Sequence, residues 1–510
     1  MQVRAIAAGI GLVLLALATR YYILGPETGD IDEATFIVVA QSVLRGYLPY
    51  EAAFDNKPAG FFYLLAGVMA VFGESTATVR LFGSLLVGAT AATLLVLCRR
   101  YLSLPFAGTL AALFVLANAG EIGNSTKSEL IANLFVAGSM LVLLQRQDNR
   151  ASFIAGLLVS CAVLCRTNLA VLAAGLAVVH MLAAFRPGTL GFGRSAIFSL
   201  ALGGLLPLAA LVVPYALRGE LELLRLGLVD VALSHSQGRR DLLGMLVLVP
   251  HSFVRILPSL AGLLVVIGGI ALWRLRRPNA SALPERRRDV QIGLLYLVSI
   301  YLSILMTGTF YNHYMLQILP PLVLLTAIGL GDDESVAWRG WPVRLMRIGV
   351  VAGAVWYVGL GGVLLVDQLN GQVERPLRAA AEAVAADLGP QDAIWAAGST
   401  QLILFYLNKN PVVPVAAFPP NLARPSITEP LVAAGRSPAG GADEVLAMRP
   451  RYVVNSRVGA PQQLSETARQ TFSQHYQLFW SGGVIHVYQR LQTGFDSLET
   501  PPSPAFDLRP

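Results

Sequence analysis

Charge is scarce in this chain. Only 14% of its 510 residues are Asp, Glu, Lys or Arg, and 55% are hydrophobic, whereas a soluble globular chain carries about 25% charge. The deficit excludes a fold that faces water on all sides. Cysteine is scarcer still: Cys98, Cys161 and Cys165 are the whole complement, each within or at the end of an apolar run. A disulfide framework and a CxxC redox motif are therefore excluded, and the three read as small buried hydrophobes. His180, His251 and His475 are scattered and Asp332-Asp333-Glu334 reads as a solvated turn, so neither a metal site nor a cofactor is expected. The first apolar run lacks a small-residue cleavage site and is expected to be a span, not a signal peptide. No internal repeat is visible, which weighs against a transporter built from inverted halves.

Long apolar runs are what the sequence has in excess. About 17–25 apolar residues cross the roughly 30 Å of bilayer hydrocarbon. Residues 6–24, 81–98, 196–217, 256–273, 290–306 and 348–366 are runs of this kind. Arg20 interrupts the first, and its long side chain is expected to snorkel to the headgroups. The net charge of +7 belongs to short basic segments beside these runs. That is the footprint of membrane topology, not of nucleic-acid binding.

Basic clusters mark cytoplasmic loops. Residues 273–289 hold six arginines (Arg274, Arg276, Arg277, Arg286, Arg287 and Arg288), and smaller clusters sit at Arg99–Arg100, Arg146/Arg150, Arg186/Arg194 and Arg339/Arg344/Arg347. Placing all of them inside requires an even number of crossings between neighbours. Residues 59–72 are then expected to lie at the outer surface as an interfacial helix. Residues 151–185 become two short spans broken at Arg166-Thr167-Asn168. The sum is about 11 spans, or 12–13 if short segments also cross. Residues 25–80 form the first outer loop, and everything after about 367 is outside.

From 367 to 490 the pattern changes. Residues 379–388 suggest an amphipathic helix, 393–397 and 451–455 short strands, and a helix runs through Tyr406. Ser481-Gly482-Gly483 between 476–480 and 484–488 is a hairpin signature. The expected fold class is an α-helical polytopic membrane protein with a small extracytoplasmic α/β domain. Its parts are a transmembrane domain over 1–366, an α/β domain over 367–490 and a disordered Pro-rich tail over 491–510.

The first outer loop concentrates chemistry. It reads Gly29-Asp30-Ile31-Asp32-Glu33-Ala34-Thr35-Phe36 and ends Phe54-Asp55-Asn56-Lys57-Pro58-Ala59-Gly60. Ionisable groups beside a membrane are costly and tend to be functional. An alternative stands beside that reading: Asp32 or Asp30 merely caps a helix beginning near Ala34.

Asp-Glu after the first span, an interfacial helix, and Lys-Pro before an aromatic-rich apolar stretch resemble the polyprenyl-phosphate-sugar-dependent glycosyltransferases of the multispan C superfamily. These include the protein O-mannosyltransferases and the bacterial aminoarabinose transferases. Phe72-Gly73-Glu74 with Val79-Arg80-Leu81, Cys165-Arg166 opening a span, and residues 308–314 with Pro320-Pro321 follow the same order. Two positions depart from the aminoarabinose transferases: Thr35 stands where they have Arg, and Asn56 where they have Glu before Lys-Pro. The pattern fits better the broad bacterial branch that decorates lipopolysaccharide, other glycolipids or surface polymers.

The resemblance implies an inverting transfer of a sugar from a polyprenyl-phosphate donor to a lipid, glycan or protein acceptor. It places the enzyme in a bacterial inner membrane, with its site on the periplasmic face. Asp32 is the expected general base, with Glu33 as its alternative or partner. A single carboxylate and no nucleophile imply a single displacement. Cations must stabilise the departing phosphate. Lys57 and Arg166 are the first choices, followed by Arg80, Arg239, Arg240 and His313, with Lys127 a weaker candidate. Asp55, Asn56, Tyr314 and Glu129 are expected substrate contacts, and Glu121 a weak one. Each cation also admits a plainer role as a snorkelling or topological anchor. Membrane lipids and the lipid-linked sugar are the expected partners; nucleic acid is not. The rival from another class is a multispan transporter or flippase of a lipid-linked substrate.

Overall fold

In a computed structural model of the chain, the structure describes residues 2–120, 123–185, 192–236, 242–275, 284–307, 311–331 and 340–491. Among these, seven helices are long and apolar enough to cross a membrane: Thr76–Cys98, Ser128–Gln145, Thr167–Phe185, Ala196–Arg218, Glu285–Leu305, Asn312–Leu330 and Val343–Leu369. Five apolar helices are shorter: Val3–Thr19, Ala59–Phe72, Leu104–Ala117, Asn149–Cys165 and Leu260–Leu275. The chain is thus a multi-pass, mainly helical membrane protein with a small C-terminal sheet.

Two compact units make up the chain, and neither is continuous in sequence. The first comprises Met1–Gly25, Arg80–Val213 and Arg239–Gly371; the second comprises Pro26–Val79, Pro214–Gly238 and Gln372–Pro510. The first outer loop, residues 59–72 included, therefore groups with the α/β region.

In the first unit, glycine sets how closely two helices meet. A Cβ on Gly203 would lie 2.0 Å from the Phe153 carbonyl oxygen, and one on Gly156 would lie 2.1 Å from that of Leu200. Helices Asn149–Cys165 and Ala196–Arg218 can therefore touch backbone to backbone only without side chains at these positions. The expected break at Arg166-Thr167-Asn168 is present as a 3-10 turn over Thr167–Leu169. There Asn168 Nδ2 donates to Ser303 Oγ at 2.9 Å and to Gln317 Oε1 at 3.1 Å.

Arg20 departs from expectation. It is 1% exposed and donates to the carbonyls of Asn118, Gly123 and Ser125 and to Ser84 Oγ. A guanidinium offers five donors, and three of its partners are backbone carbonyls. Burying the charge against them replaces snorkelling.

The sheet lies in the second unit. Strands β1 (Ile394–Ala396), β2 (Tyr452–Asn455), β3 (Tyr476–Gly482) and β4 (Ile485–Arg490) are ordered β1-β2-β4-β3. β1 and β2 run parallel, whereas β4 is antiparallel to both β2 and β3. The hairpin is present, but Ser481 and Gly482 extend β3, and the chain reverses at Gly483, φ +56°. The amphipathic helix is Pro376–Ala385, three residues earlier than its expected start. Proline suits the first helical turn, and the buried Glu27 carboxylate accepts from the amides of Leu377 at 2.7 Å and Arg378 at 2.8 Å. A cap from so far away in sequence leaves no local signature.

Candidate functional site

Within the second unit the acidic loop becomes a helix start. Helix Ile31–Leu44 is capped by Asp30, whose Oδ1 accepts from the Asp32 amide at 2.8 Å. Capping therefore falls to Asp30, and the Asp32 carboxylate is not the group that closes the helix. Asp32 and Glu33 occupy the first turn, where the helix dipole favours negative charge. Glu33 is 1% exposed, while Asp32 is half-buried.

One turn further along the same helix, Phe36 lies under Lys57, whose Nζ is 5.4 Å from the ring centroid. Lys57 is held from several directions. Its Nζ donates to Asn56 Oδ1 at 2.8 Å and forms an ion pair with Asp55 Oδ1 at 3.5 Å. Its backbone amide donates to the same Asp55 oxygen at 3.1 Å, and its carbonyl accepts from the Tyr50 hydroxyl at 2.7 Å. Tyr50 itself sits at φ +75°, an uncommon conformation for a bulky residue. Burial pushes the Asp55 carboxyl above the usual carboxylate range; the Lys57 ammonium opposes that rise, and the Asp32 charge adds to it. The Asp32 charge is thus felt at the Asp55 carboxyl, which in turn pairs with Lys57.

The first unit holds a second constellation. Glu129, 1% exposed, pairs with Arg166 Nη2 at 3.0 Å and lies 3.6 Å from His313 Nε2. Lys127 Nζ lies 3.5 Å from His313 Nδ1, so the ring can accept there while donating from Nε2. Arg166 also reaches Ser128 Oγ at 3.4 Å and stacks 4.4 Å above the Tyr314 ring. One buried carboxylate thus meets an arginine and a histidine, and a lysine flanks the histidine on its other nitrogen, an excess of positive charge suited to an anion. Arg80 is buried and donates to the Ile23 carbonyl at 2.9 Å, a bond that ties two helix ends together.

Of the expected site residues, Asp32, Glu33, Asp55, Asn56 and Lys57 fall in one group, and Arg166, Glu129, His313 and Tyr314 in another. Arg239, Arg240 and Glu121 lie outside the described residues. Among the described residues no three His, Cys, Asp or Glu side chains gather as metal ligands. The sequence reading missed Phe36 and Tyr50. An aromatic one turn after an acidic pair, and another seven residues before the lysine, were the available signals.

Residues 56–215 match the family model described as dolichyl-phosphate-mannose-protein mannosyltransferase. A crystal structure of ArnT from Cupriavidus metallidurans bound to undecaprenyl phosphate superposes with a TM-score of 0.60 at 14% identity, covering 98% of this chain and 99% of that one. The apo structure of the same protein gives a TM-score of 0.58 at 13% identity, over 94% and 97% of the two chains. The chain shares the fold of ArnT. No curated protein sequence matches the chain.

Proposed function

We propose that the chain is an inverting glycosyltransferase that moves a sugar from a polyprenyl-phosphate donor to a lipid, glycan or protein acceptor. The observation that carries this is the Asp32–Asp55–Lys57 group. A half-buried carboxylate at a helix N-terminus stands within electrostatic reach of Asp55, which pairs with an ammonium also held by Asn56 and Phe36, in a fold shared with a protein solved on undecaprenyl phosphate.

In this reading the acceptor oxygen attacks the anomeric carbon while the bond from that carbon to the phosphate oxygen breaks. Asp32 takes the acceptor proton, and the lipid phosphate leaves with its negative charge. Lys57 in the second unit and Arg166 in the first are separate candidates for that phosphate, with Lys127 and His313 beside Arg166. Glu33 orients its neighbour, and becomes the base if Glu33→Gln abolishes transfer while Asp32→Asn does not. No cofactor is assigned.

The eleven-span topology takes the seven long helices and four of the five short ones, leaving Ala59–Phe72 at the outer face. In this reading the six-arginine loop lies in the cytoplasm of a bacterium and the site faces the periplasm, an orientation that the arginine clusters support.

Undecaprenyl phosphate provides a test without knowledge of the sugar. Lys57→Ala and Arg166→Ala each remove a charge-assisted contact worth about 1.5–3 kcal/mol, so each is expected to weaken its binding roughly ten- to a hundredfold. Unchanged affinity in both variants contradicts the phosphate assignment.

A further inference from the structure

The acidic helix is gripped by the α/β region at the turn that carries its carboxylates. Gln401 follows β1 and is fully buried, at 0% exposure. Its Nε2 donates to the Ile31 carbonyl at 2.8 Å, across 370 residues of sequence, and lies 3.2 Å from Thr35 Oγ1. A carbonyl only accepts, so the amide nitrogen must face the helix. Ile31 and Thr35 bracket Asp32 and Glu33 within one helical turn. Thr35 Oγ1 is in turn 3.0 Å from the Ile31 carbonyl and 3.3 Å from that of Ala417.

The segment that presents Gln401 is fixed to the parallel strand pair. The Ala397 amide donates to the Val454 carbonyl at 2.7 Å, and Thr400 Oγ1 reaches the Ala397 and Val454 carbonyls at 2.7 and 3.0 Å. Between them Gly398 turns the chain at φ +70°, where a Cβ would approach Ser456 Oγ to 2.9 Å. The chain of contacts therefore runs from the β1/β2 pair through a rigid turn to Gln401 and the first turn of the helix. The helix start does not need this bond: Asp30 already caps it, and the Ala34 amide already reaches the Asp30 carbonyl at 3.1 Å. What Gln401 adds is a fixed orientation of the turn.

We propose that Gln401, acting through Ile31 and Thr35, is a positioning residue that sets the Asp32 and Glu33 carboxylates for transfer. The proposal rests on the reading of Asp32 as the base. It gives the α/β region a part in the reaction, and it accounts for Thr35 as the partner of a glutamine at a position where the aminoarabinose transferases carry arginine.

A base displaced by 1 Å can cost about a hundredfold in rate, and loss of one orienting bond is expected to cost roughly a tenth of that. The test uses the full chain in lipid nanodiscs, with an undecaprenyl-phosphate sugar that the wild type turns over. Gln401→Leu is expected to lower kcat roughly tenfold and leave the donor KM within about twofold, the signature of an interaction made in the transition state. Thr35→Val should fall to a similar level and Thr35→Ser should recover. The double variant should be no slower than the slower single, because both substitutions break one linkage. If Gln401→Leu does not fold, the Thr35 pair carries the same test. Asp32→Asn and Glu33→Gln are measured alongside. Full activity in both overturns the base itself, and the positioning role with it. An inactive Asp32→Asn or Glu33→Gln with wild-type turnover in Gln401→Leu and Thr35→Val overturns the positioning role alone, as does a loss confined to KM or losses that multiply in the double variant.

Discussion

At the scale of the residue, Asp55 shows how burial and function pull apart. Its carboxylate is 2% exposed, and burial outweighs the Lys57 ammonium in setting its proton affinity. A carboxyl whose folded affinity for protons exceeds its unfolded one binds more protons when folded. Stability then falls as pH rises through the window above the ordinary carboxylate value. Asp55→Asn removes that cost at neutral pH, so its unfolding temperature is expected to match or exceed that of the wild type at pH 7. The difference should shrink as pH falls towards 4. Transfer should fall in the same variant, because Lys57 loses the partner that orients it. A destabilised variant at pH 7 would show that the ion pair outweighs burial. Lys57 and Asp55 were legible in the sequence as charges beside an apolar stretch. Their mutual pairing was equally available from the spacing Asp-Asn-Lys, whereas the Phe36 ring beneath the ammonium required the fold.

Elements were legible where their signal is local. The long apolar runs, the break at Arg166 and the hairpin around Gly483 follow from composition and turn chemistry, and all are present. Arg20 was misread because the carbonyls that bind it come from residues 118–125, and sequence gives no measure of that approach. Gln401 and Glu27 escaped for the same reason: each acts on a backbone some 350 residues or more away. Helix packing in the first unit gives a direct test of an element. The crossing of Asn149–Cys165 with Ala196–Arg218 leaves no room for a side chain at Gly203. Overpacking of this kind costs about 1–3 kcal/mol, so Gly203→Leu is expected to lower the unfolding temperature in detergent by several degrees. Gly359→Ala, with nothing within 4 Å of its added Cβ, should leave it unchanged. Equal behaviour of the two would refute the close crossing.

For the whole molecule, the helical membrane architecture and the C-terminal sheet were legible because low charge, run length and a shift of pattern near residue 367 report them directly. The grouping of residues 26–79 with 372–510 was not, since a linear reading draws boundaries only along the chain. Orientation is open to thiol labelling of intact cells in a background with Cys98, Cys161 and Cys165 replaced by alanine. A cysteine at the exposed position Ser473 is expected to react with a membrane-impermeant maleimide, and one at Ser281 is expected to react only after the membrane is permeabilised. The reverse pattern would place the Asp32 loop in the cytoplasm. The central claim is tested most directly by incubating the purified protein in nanodiscs with a panel of undecaprenyl-phosphate sugars and candidate glycolipid acceptors, and following free undecaprenyl phosphate and product by mass spectrometry. With at least one donor, the wild type is expected to release undecaprenyl phosphate and glycosylate the acceptor, and Asp32→Asn to do so at least about a hundredfold more slowly. Equal rates in the two proteins, or donor passing intact across the bilayer with no release of phosphate, would contradict it.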